Sequence, residues 1–178
     1  MDTEILAAGM QLLFVGFNPS PKSAETGWNY AGPNNRFYRI LLHAGLTRRL
    51  FHPSEGRTLL AEYGYGFTNL VKRPTRLASE VTREEYVEGA KRLGEVLNRY
   101  EPDMVCFVGK GVYLPFASVF HLPRKVDWGF LQTEHSFPAR LFVGPGTSGL
   151  VRMKFDDQVA IYRELATALD SAKSSTET

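Results

Sequence analysis

Three short runs of apolar residues, each closed by a glycine, constrain the fold of this chain more than any other feature. The runs occupy residues 12–16, 105–109 and 141–144. Each is apolar throughout rather than alternating, which is the pattern of a strand covered on both faces, as in a parallel sheet. A fourth strand is predicted around residues 66–71.

Segments with the spacing of amphipathic helices separate these strands. Apolar residues recur at this spacing over 37–44, where Gly45 can end the helix, and over 159–169. Residues 82–85 form a capping box that predicts the start of another helix, and a short helix is expected after Lys110. The alternation predicts an α/β fold, a three-layer sandwich with a mostly parallel central sheet.

Length and composition limit what else the chain can be. Its 178 residues predict one domain over 1–170, followed by a polar segment, 171–178, expected to be a flexible tail. Cys106 is the single cysteine, which excludes an internal disulfide and a four-cysteine zinc or iron–sulfur site. With four scattered histidines besides, we predict no metal and no cofactor.

Charge and hydropathy say less about partners. Lysine and arginine number 21 against 19 aspartates and glutamates, so the net charge of +2 neither requires nor forbids nucleic acid. No stretch approaches the roughly 18 apolar residues of a membrane-spanning helix, so no membrane partner is expected. We predict a cytoplasmic monomer.

Ligands of parallel α/β sheets bind beyond the carboxyl ends of the strands. In this chain those ends lead into the loops at 17–35, 72–79, 110–113 and 145–152. These loops hold much of the glycine, proline, asparagine and serine of the chain. The fold therefore predicts the position of the site before any motif is considered.

A motif, Gly-Phe-Asn-Pro-Ser-Pro at 16–21, opens the first of these loops. Further signatures follow along the chain at 26–30, 33–37, 67–69, 73–75 and 148–152. In this order and spacing, the set resembles the mismatch-specific uracil-DNA glycosylases and the related thymine-DNA glycosylases, one branch of the uracil-DNA glycosylase superfamily. The resemblance runs from about Glu4 to Leu169 and implies hydrolysis of an N-glycosidic bond in DNA.

The resemblance implies that Asn18 is catalytic. Its side-chain oxygen can accept a hydrogen bond from a water beneath the sugar carbon, while its amide donates elsewhere. Because asparagine is uncharged, it must act by position rather than as a strong base. Backbone N–H groups of the turn, such as that of Phe17, could stabilise the charge on the leaving base. The alternative is that Asn18 only caps a turn.

Other residues of the resemblance would form the base pocket. Tyr30 matches the aromatic that stacks on the flipped base, although ordinary packing is the alternative. Ser20 and Ser23 would shape the pocket with Phe17, or serve only the turn. Asn69 would assist in holding water or base, or is a buried asparagine that satisfies nearby backbone.

The loop at 145–152 resembles the wedge loop of the family. A glycosylase must fill the gap left by the flipped nucleotide, and Leu150 is an apolar plug of suitable size. Arg152 would meet the opposite guanine or a phosphate, and Ser148 and Gly149 would grip phosphates. The alternative is an exposed surface loop. The remaining candidates for phosphate contact are Lys72, Arg73, Arg76 and Lys110.

This chain departs from the family pattern at three positions. Phe17 replaces isoleucine, Ser20 replaces glycine, and Gly146 replaces the asparagine near the start of the wedge. These changes leave uracil as the expected base and put thymine, or other damaged bases, in doubt. The expected partner is double-stranded DNA with a G·U or related mismatch. If the source is bacterial, the protein is expected to associate with the nucleoid.

Two further classes of function stay open on the sequence alone. The chain could be a binding module that recognises mismatched DNA without cutting it, although the retained Asn18 argues against this. It could also be an enzyme that acts on free nucleosides. The wedge loop argues against the nucleoside enzyme, because a free nucleoside leaves no gap to fill.

Overall fold

A five-stranded sheet forms the centre of the protein, whose computed structural model describes residues 1–176. The strands are β1 (Leu12–Gly16), β2 (Tyr65–Asn69), β3 (Met104–Val108), β4 (Gly129–Phe130) and β5 (Arg140–Gly144). Their order is β2-β1-β3-β5-β4, with β4 antiparallel to β5 and the other pairings parallel. The predicted, mostly parallel sheet is confirmed.

Helices cover both faces of this sheet. They are α1 (Pro21–Thr26), α2 (Phe37–Ala44), α3 (Gly56–Tyr63), α4 (Arg83–Tyr100), α5 (Lys110–Phe120) and α6 (Phe155–Thr176). Alternate residues of β1 enter two cores: Leu12 and Phe14 pack with α2, α3 and α6, whereas Leu13 and Val15 pack with α4 and α5. The three-layer sandwich is therefore confirmed, and its physical basis is apolar side chains on both faces of one sheet.

The predicted helix signals lie where the sequence placed them. Gly45 ends α2 at a φ of 85°, a left-handed conformation that glycine adopts without steric cost. The side chain of Thr82 accepts from the backbone N–H of Glu85, and the Glu85 side chain closes the capping box. The predicted fourth strand is shifted, since β2 covers Tyr65–Asn69.

Helix α6 extends into the segment that the sequence analysis expected to be a flexible tail. Helix α6 continues to Thr176, and the hydroxyls of Ser174 and Ser175 donate to backbone carbonyls one turn back. Those bonds satisfy the serine hydroxyls within the helix. The last two residues of the predicted tail lie outside the described part. None of the helices described in residues 1–176 is long and apolar enough to cross a membrane.

Candidate active site

A cavity of about 250 Å³ opens at the carboxyl ends of β1, β2 and β3, the edge that the fold predicted. It is lined by Gly16, Phe17, Asn18, Pro19, Ser20, Ser23, Asn29, Tyr30, Ala31, Gly32, Asn35, Asn69, Val108, Gly146, Thr147 and Ser148. The structure thus brings together both predicted catalytic asparagines, all the predicted pocket residues and one end of the predicted wedge loop.

Asn18 is held by two hydrogen bonds from its side-chain amide. Its Nδ2 donates to the backbone carbonyl of Arg73 at 2.9 Å and to the hydroxyl of Thr75 at 2.7 Å. Both partners belong to the loop after β2, so these bonds join two loops rather than close the turn around Asn18. Because both amide hydrogens have acceptors, the amide is oriented and Oδ1 is the atom left to receive a water.

Arg73 supports this loop through bonds to Glu85 and Glu80, and its role in phosphate contact stays a prediction. Its guanidinium donates to both carboxylate oxygens of Glu85, at 2.6 and 3.0 Å, and to the backbone carbonyl of Glu80. A bidentate pair of this kind fixes the geometry of both partners. The ammonium of Lys72 lies 3.8 Å from the Glu4 carboxylate, so it too has an acidic neighbour.

The Arg73 pair makes the stability of the loop after β2 sensitive to acid. Hydrogen bonds from Arg73 and from the Thr82 backbone lower the pKa of Glu85 from 4.5 to about 2. A carboxylate with a lowered folded-state pKa stabilises the protein above its unfolded pKa, and this contribution disappears as pH falls through the folded value. We therefore expect Glu85→Gln to unfold with a shallower pH dependence than the wild type between about pH 4.5 and 2. Urea unfolding at several pH values checks this, and parallel curves would contradict it.

Tyr30 and Asn69 approach each other across Gly16. A Cβ at position 16 would lie 2.6 Å from Asn69 Oδ1 and 3.1 Å from the Tyr30 hydroxyl, so only glycine fits there. The Tyr30 ring stacks on Phe37 with centroids 3.9 Å apart, and Tyr30 also lines the cavity. Burial, with a smaller effect from nearby Cys106, raises the pKa of Tyr30, so its hydroxyl stays a neutral donor.

Asn69 is held by a residue from the beginning of the chain. Its Nδ2 donates to Thr3 Oγ1 at 3.2 Å, and its backbone carbonyl accepts from Arg92. The side chain therefore bonds to another side chain, not to nearby backbone as the alternative interpretation had it. Its Oδ1 faces Gly16 and the cavity.

Ser20 and Ser23 serve the turn and line the cavity at the same time. Ser20 is the N-cap of α1, a helix that the sequence did not predict, and its Oγ accepts from the Ser23 backbone N–H at 3.1 Å. The two hydroxyls lie 3.2 Å apart. Phe17 packs against Tyr86 at a centroid distance of 5.4 Å while it borders the cavity.

Residues that the sequence analysis missed hold the base of the wedge loop. The Thr147 hydroxyl donates to Asn35 Oδ1 at 2.8 Å, and the same oxygen accepts from the first backbone N–H of α2. Gln158, fully buried in α6, donates to the Gly146 carbonyl at 2.8 Å. The Tyr162 hydroxyl donates to the carbonyl just before that glycine. The start of α2 and the helix α6, which pack on the same face of the sheet, thus fix the start of the loop.

The tip of the wedge loop presents its leucine to the outside. Leu150 is 92% exposed, the highest value among the large apolar side chains. Its backbone N–H donates to Ser148 Oγ at 3.1 Å, which closes a tight turn beneath it. Gly149 lies against Asn34, where a Cβ would come within 2.8 Å. Arg152 is also exposed. A fixed base and an exposed apolar tip are the features that a wedge requires.

Lys110 is placed outside the cavity. It begins α5, and its ammonium lies 4.5 Å from the ring centroid of Trp128, a cation–π contact that the sequence did not indicate. Its role in phosphate contact stays a prediction. Across residues 1–176, no three acidic, histidine or cysteine side chains come together in a way that could hold a metal ion.

A larger hollow of about 500 Å³ lies at the opposite end of the sheet. It is bordered by Tyr65, the first residue of β2, and by the last turns of α2, α3 and α6. This is the amino end of the strands, away from the edge where parallel sheets bind ligands. The smaller cavity, which gathers the asparagines, is therefore the candidate active site.

Comparison with known protein families finds a match over most of the chain. A family model described as the uracil DNA glycosylase superfamily matches residues 4–169. The matched region contains every strand of the sheet and every residue that lines the smaller cavity.

Proposed function

This chain belongs to the uracil-DNA glycosylase superfamily, and on that premise we propose that it removes uracil from G·U-type mismatches in double-stranded DNA. Membership makes the protein a hydrolase of base excision repair that acts on uracil in DNA. The proposal adds that the enzyme is monofunctional and mismatch-specific. It also adds that the enzyme works as a monomer without a cofactor, in the cytoplasm.

The anchored amide of Asn18 is the observation that carries the proposal. As the glycosidic bond breaks, the base leaves as an anion and the sugar becomes cation-like. With both amide hydrogens bonded to the Arg73 carbonyl and the Thr75 hydroxyl, Oδ1 can hold a water in line with the sugar carbon. This fixed position accelerates attack without a strong base. The backbone N–H group of Phe17 would stabilise the base anion.

The lining of the cavity supports simple hydrolysis. Among the described residues that line it, polar side chains are amides and hydroxyls, with no lysine amine to form a covalent link to the sugar. Tyr30 offers a ring face to the base, and Asn69 Oδ1 offers an acceptor. We therefore propose that the product is free base and an intact abasic site, with no strand cleavage by the enzyme itself.

A nicking assay tests the proposal. Labelled oligonucleotides with G·U, A·U, G·T and single-stranded uracil are incubated with the enzyme and then with alkali, alongside free deoxyuridine. We expect alkali-dependent cleavage that is fastest at G·U, and no hydrolysis of the nucleoside. Binding without excision would support the mismatch-binding module instead. Hydrolysis of deoxyuridine alone would support the nucleoside enzyme.

Thymine should be excised more slowly than uracil. The two bases differ by one methyl group, which an apolar pocket discriminates by only about 1–3 kcal/mol, so stronger rejection needs crowding. The linked hydroxyls of Ser20 and Ser23 are the candidates for that crowding. We expect Ser20→Gly to bring the rates of thymine and uracil excision closer together, because it removes one of these hydroxyls. The variant should still fold, since glycine is an acceptable N-cap that costs only a few tenths of a kcal/mol. Single-turnover rates on G·T and G·U measure this, and equal wild-type rates would overturn it.

Arg152 should contribute to DNA binding from the exposed side of the wedge loop. If it contacts a phosphate, Arg152→Ala lowers the salt slope of binding by about 1 and affects every sequence alike. If it contacts the opposite guanine, the variant binds G·U and A·U duplexes with more nearly equal affinities. Fluorescence titrations at several salt concentrations separate these outcomes. Arg99→Ala, at the far end of α4, is the matched control. A variant that binds like the wild type at every salt concentration would remove Arg152 from the interface.

A further inference from the structure

The segment Thr3–Ile5, which we name the edge segment, lies along the outer edge of β2. Ile5 and Phe67 exchange two backbone hydrogen bonds, of 2.9 and 2.8 Å, in an antiparallel bridge. Since β2 is the last strand on this side of the sheet, the edge segment covers backbone groups that would otherwise be free. None of the sequence motifs includes it.

Thr3 joins two walls of the cavity. Its side chain is nearly buried, with 5% of the residue exposed, and its Oγ1 accepts from Asn69 Nδ2 at 3.2 Å. Its backbone carbonyl accepts from the buried side-chain amide of Asn29 at 2.7 Å. Asn69 ends β2, whereas Asn29 precedes Tyr30 in the loop after α1, and both asparagines line the cavity. One residue therefore positions two segments of the cavity lining.

Glu4 ties the same segment to the end of β2. Its carboxylate accepts from the Thr68 hydroxyl at 2.7 Å and from Arg92 at 3.0 Å. Arg92 also donates to the backbone carbonyl of Asn69. The main chain of Asn69 is thus fixed through Glu4 and Arg92, and its side chain through Thr3.

The segment that carries Tyr30 needs such support because Tyr30 has a φ of 52°. A non-glycine residue in the left-handed region carries strain that surrounding contacts must offset. Asn29 is bonded on both sides: its amide donates to Thr3, and its carbonyl accepts from the Tyr38 hydroxyl at 2.8 Å. The edge segment therefore helps to hold the stacking ring in a conformation that the chain would not adopt alone.

We propose that Thr3 is a positioning residue for base excision and acts through Asn69. Its hydroxyl holds the Asn69 amide so that the other end of the amide faces the bound base beside Gly16. This inference rests on the proposed function, because it assigns Thr3 a role in that same site. Thr3 itself touches neither base nor sugar.

Replacement of Thr3 by valine tests the hydroxyl at nearly constant volume. We expect Thr3→Val to lower the single-turnover rate of uracil excision by roughly tenfold to a hundredfold, the scale of a small misplacement in a site. Thr3→Ser should restore most of the rate. Thr47→Val is the matched control, since Thr47 is also buried, with one side-chain bond to the Arg49 carbonyl at the far end of the sheet. If Thr47→Val is as slow as Thr3→Val, the lower rate reflects a general loss of stability and contradicts the positioning role.

A double-mutant cycle shows whether Thr3 acts through Asn69. If it does, Thr3→Val lowers the excision rate in the wild-type background but causes no further decrease in an Asn69→Ala background. Independent effects that multiply would overturn the proposal. So would an unchanged rate in Thr3→Val when the wild type excises uracil.

A readout without catalysis separates this inference from the proposed function. The side-chain amide signals of Asn69, assigned by their loss in Asn69→Ala, should shift and lose protection from hydrogen exchange in Thr3→Val but not in Thr47→Val. Unchanged signals would refute the positioning role whatever the enzyme excises. A shift in a protein that excises no uracil would instead refute the proposed function and leave Thr3 as the residue that holds Asn69.

Discussion

Asn18→Ala is expected to lower the single-turnover rate of uracil excision by roughly 10²-fold or more, the scale of removing one positioned catalytic group. The variant should still fold and bind DNA, because Asn18 is half-buried and alanine leaves the backbone of the turn intact. It removes the proposed acceptor for the attacking water together with the two hydrogen bonds to the loop after β2. Rapid-quench kinetics with enzyme in excess measure the chemical step apart from product release.

Two comparisons make the Asn18 result specific. Asn98→Ala, on an exposed position of α4, should excise at the wild-type rate. Thr75→Val removes one of the two acceptors that orient the Asn18 amide and should give an intermediate rate. Undiminished excision by Asn18→Ala would remove this residue from the mechanism and favour a different source of the water.

Leu150→Ala should slow excision from duplex DNA much more than from single-stranded DNA. In a duplex, flipping a nucleotide costs a few kcal/mol of unstacking, and an inserted leucine offsets part of that cost. A single strand has little stack to repair. Because the base of the loop is bonded through Thr147 and Gly146, truncation at the tip should leave the loop in place.

The ratio of the two rates is the measurement that matters for Leu150. Leu50, another exposed leucine at 55%, lies in the loop after α2, so Leu50→Ala is the control for loss of surface leucine. If Leu150→Ala lowers the excision rates on duplex and single-stranded DNA by the same factor, the loop is not a wedge. The interpretation as a surface turn then holds. If Leu50→Ala reproduces the duplex defect, the effect is not specific to the loop.

Helices and strands with strong local signals were predictable. The apolar runs predicted β1, β3 and β5 because strands covered on both faces need uninterrupted apolar residues. The capping box predicted the start of α4 because its hydrogen bonds lie within a few residues of one another. Strand β4 was missed because its two residues, Gly129 and Phe130, are held by pairing with β5 rather than by their own pattern.

For the site, sequence order and family resemblance predicted which loops meet. Parallel strands bring their carboxyl ends to one edge, so the asparagines after β1 and at the end of β2 had to come close. The resemblance added the expected roles of Asn18, Tyr30 and Leu150. These inferences need only the order of elements along the chain and the chemistry of each residue type.

Only the tertiary structure determined which side chains form hydrogen bonds across different elements. It paired Arg73 with Glu85, and it joined Asn69 to Thr3 and Gly146 to Gln158. Such bonds link residues on different elements, and no periodicity or short motif records them. Their geometry depends on how helices pack on the sheet, which is set by the whole core. The sequence by itself therefore determined the sheet and the loops that meet at its edge, while packing determined how each functional group is held there.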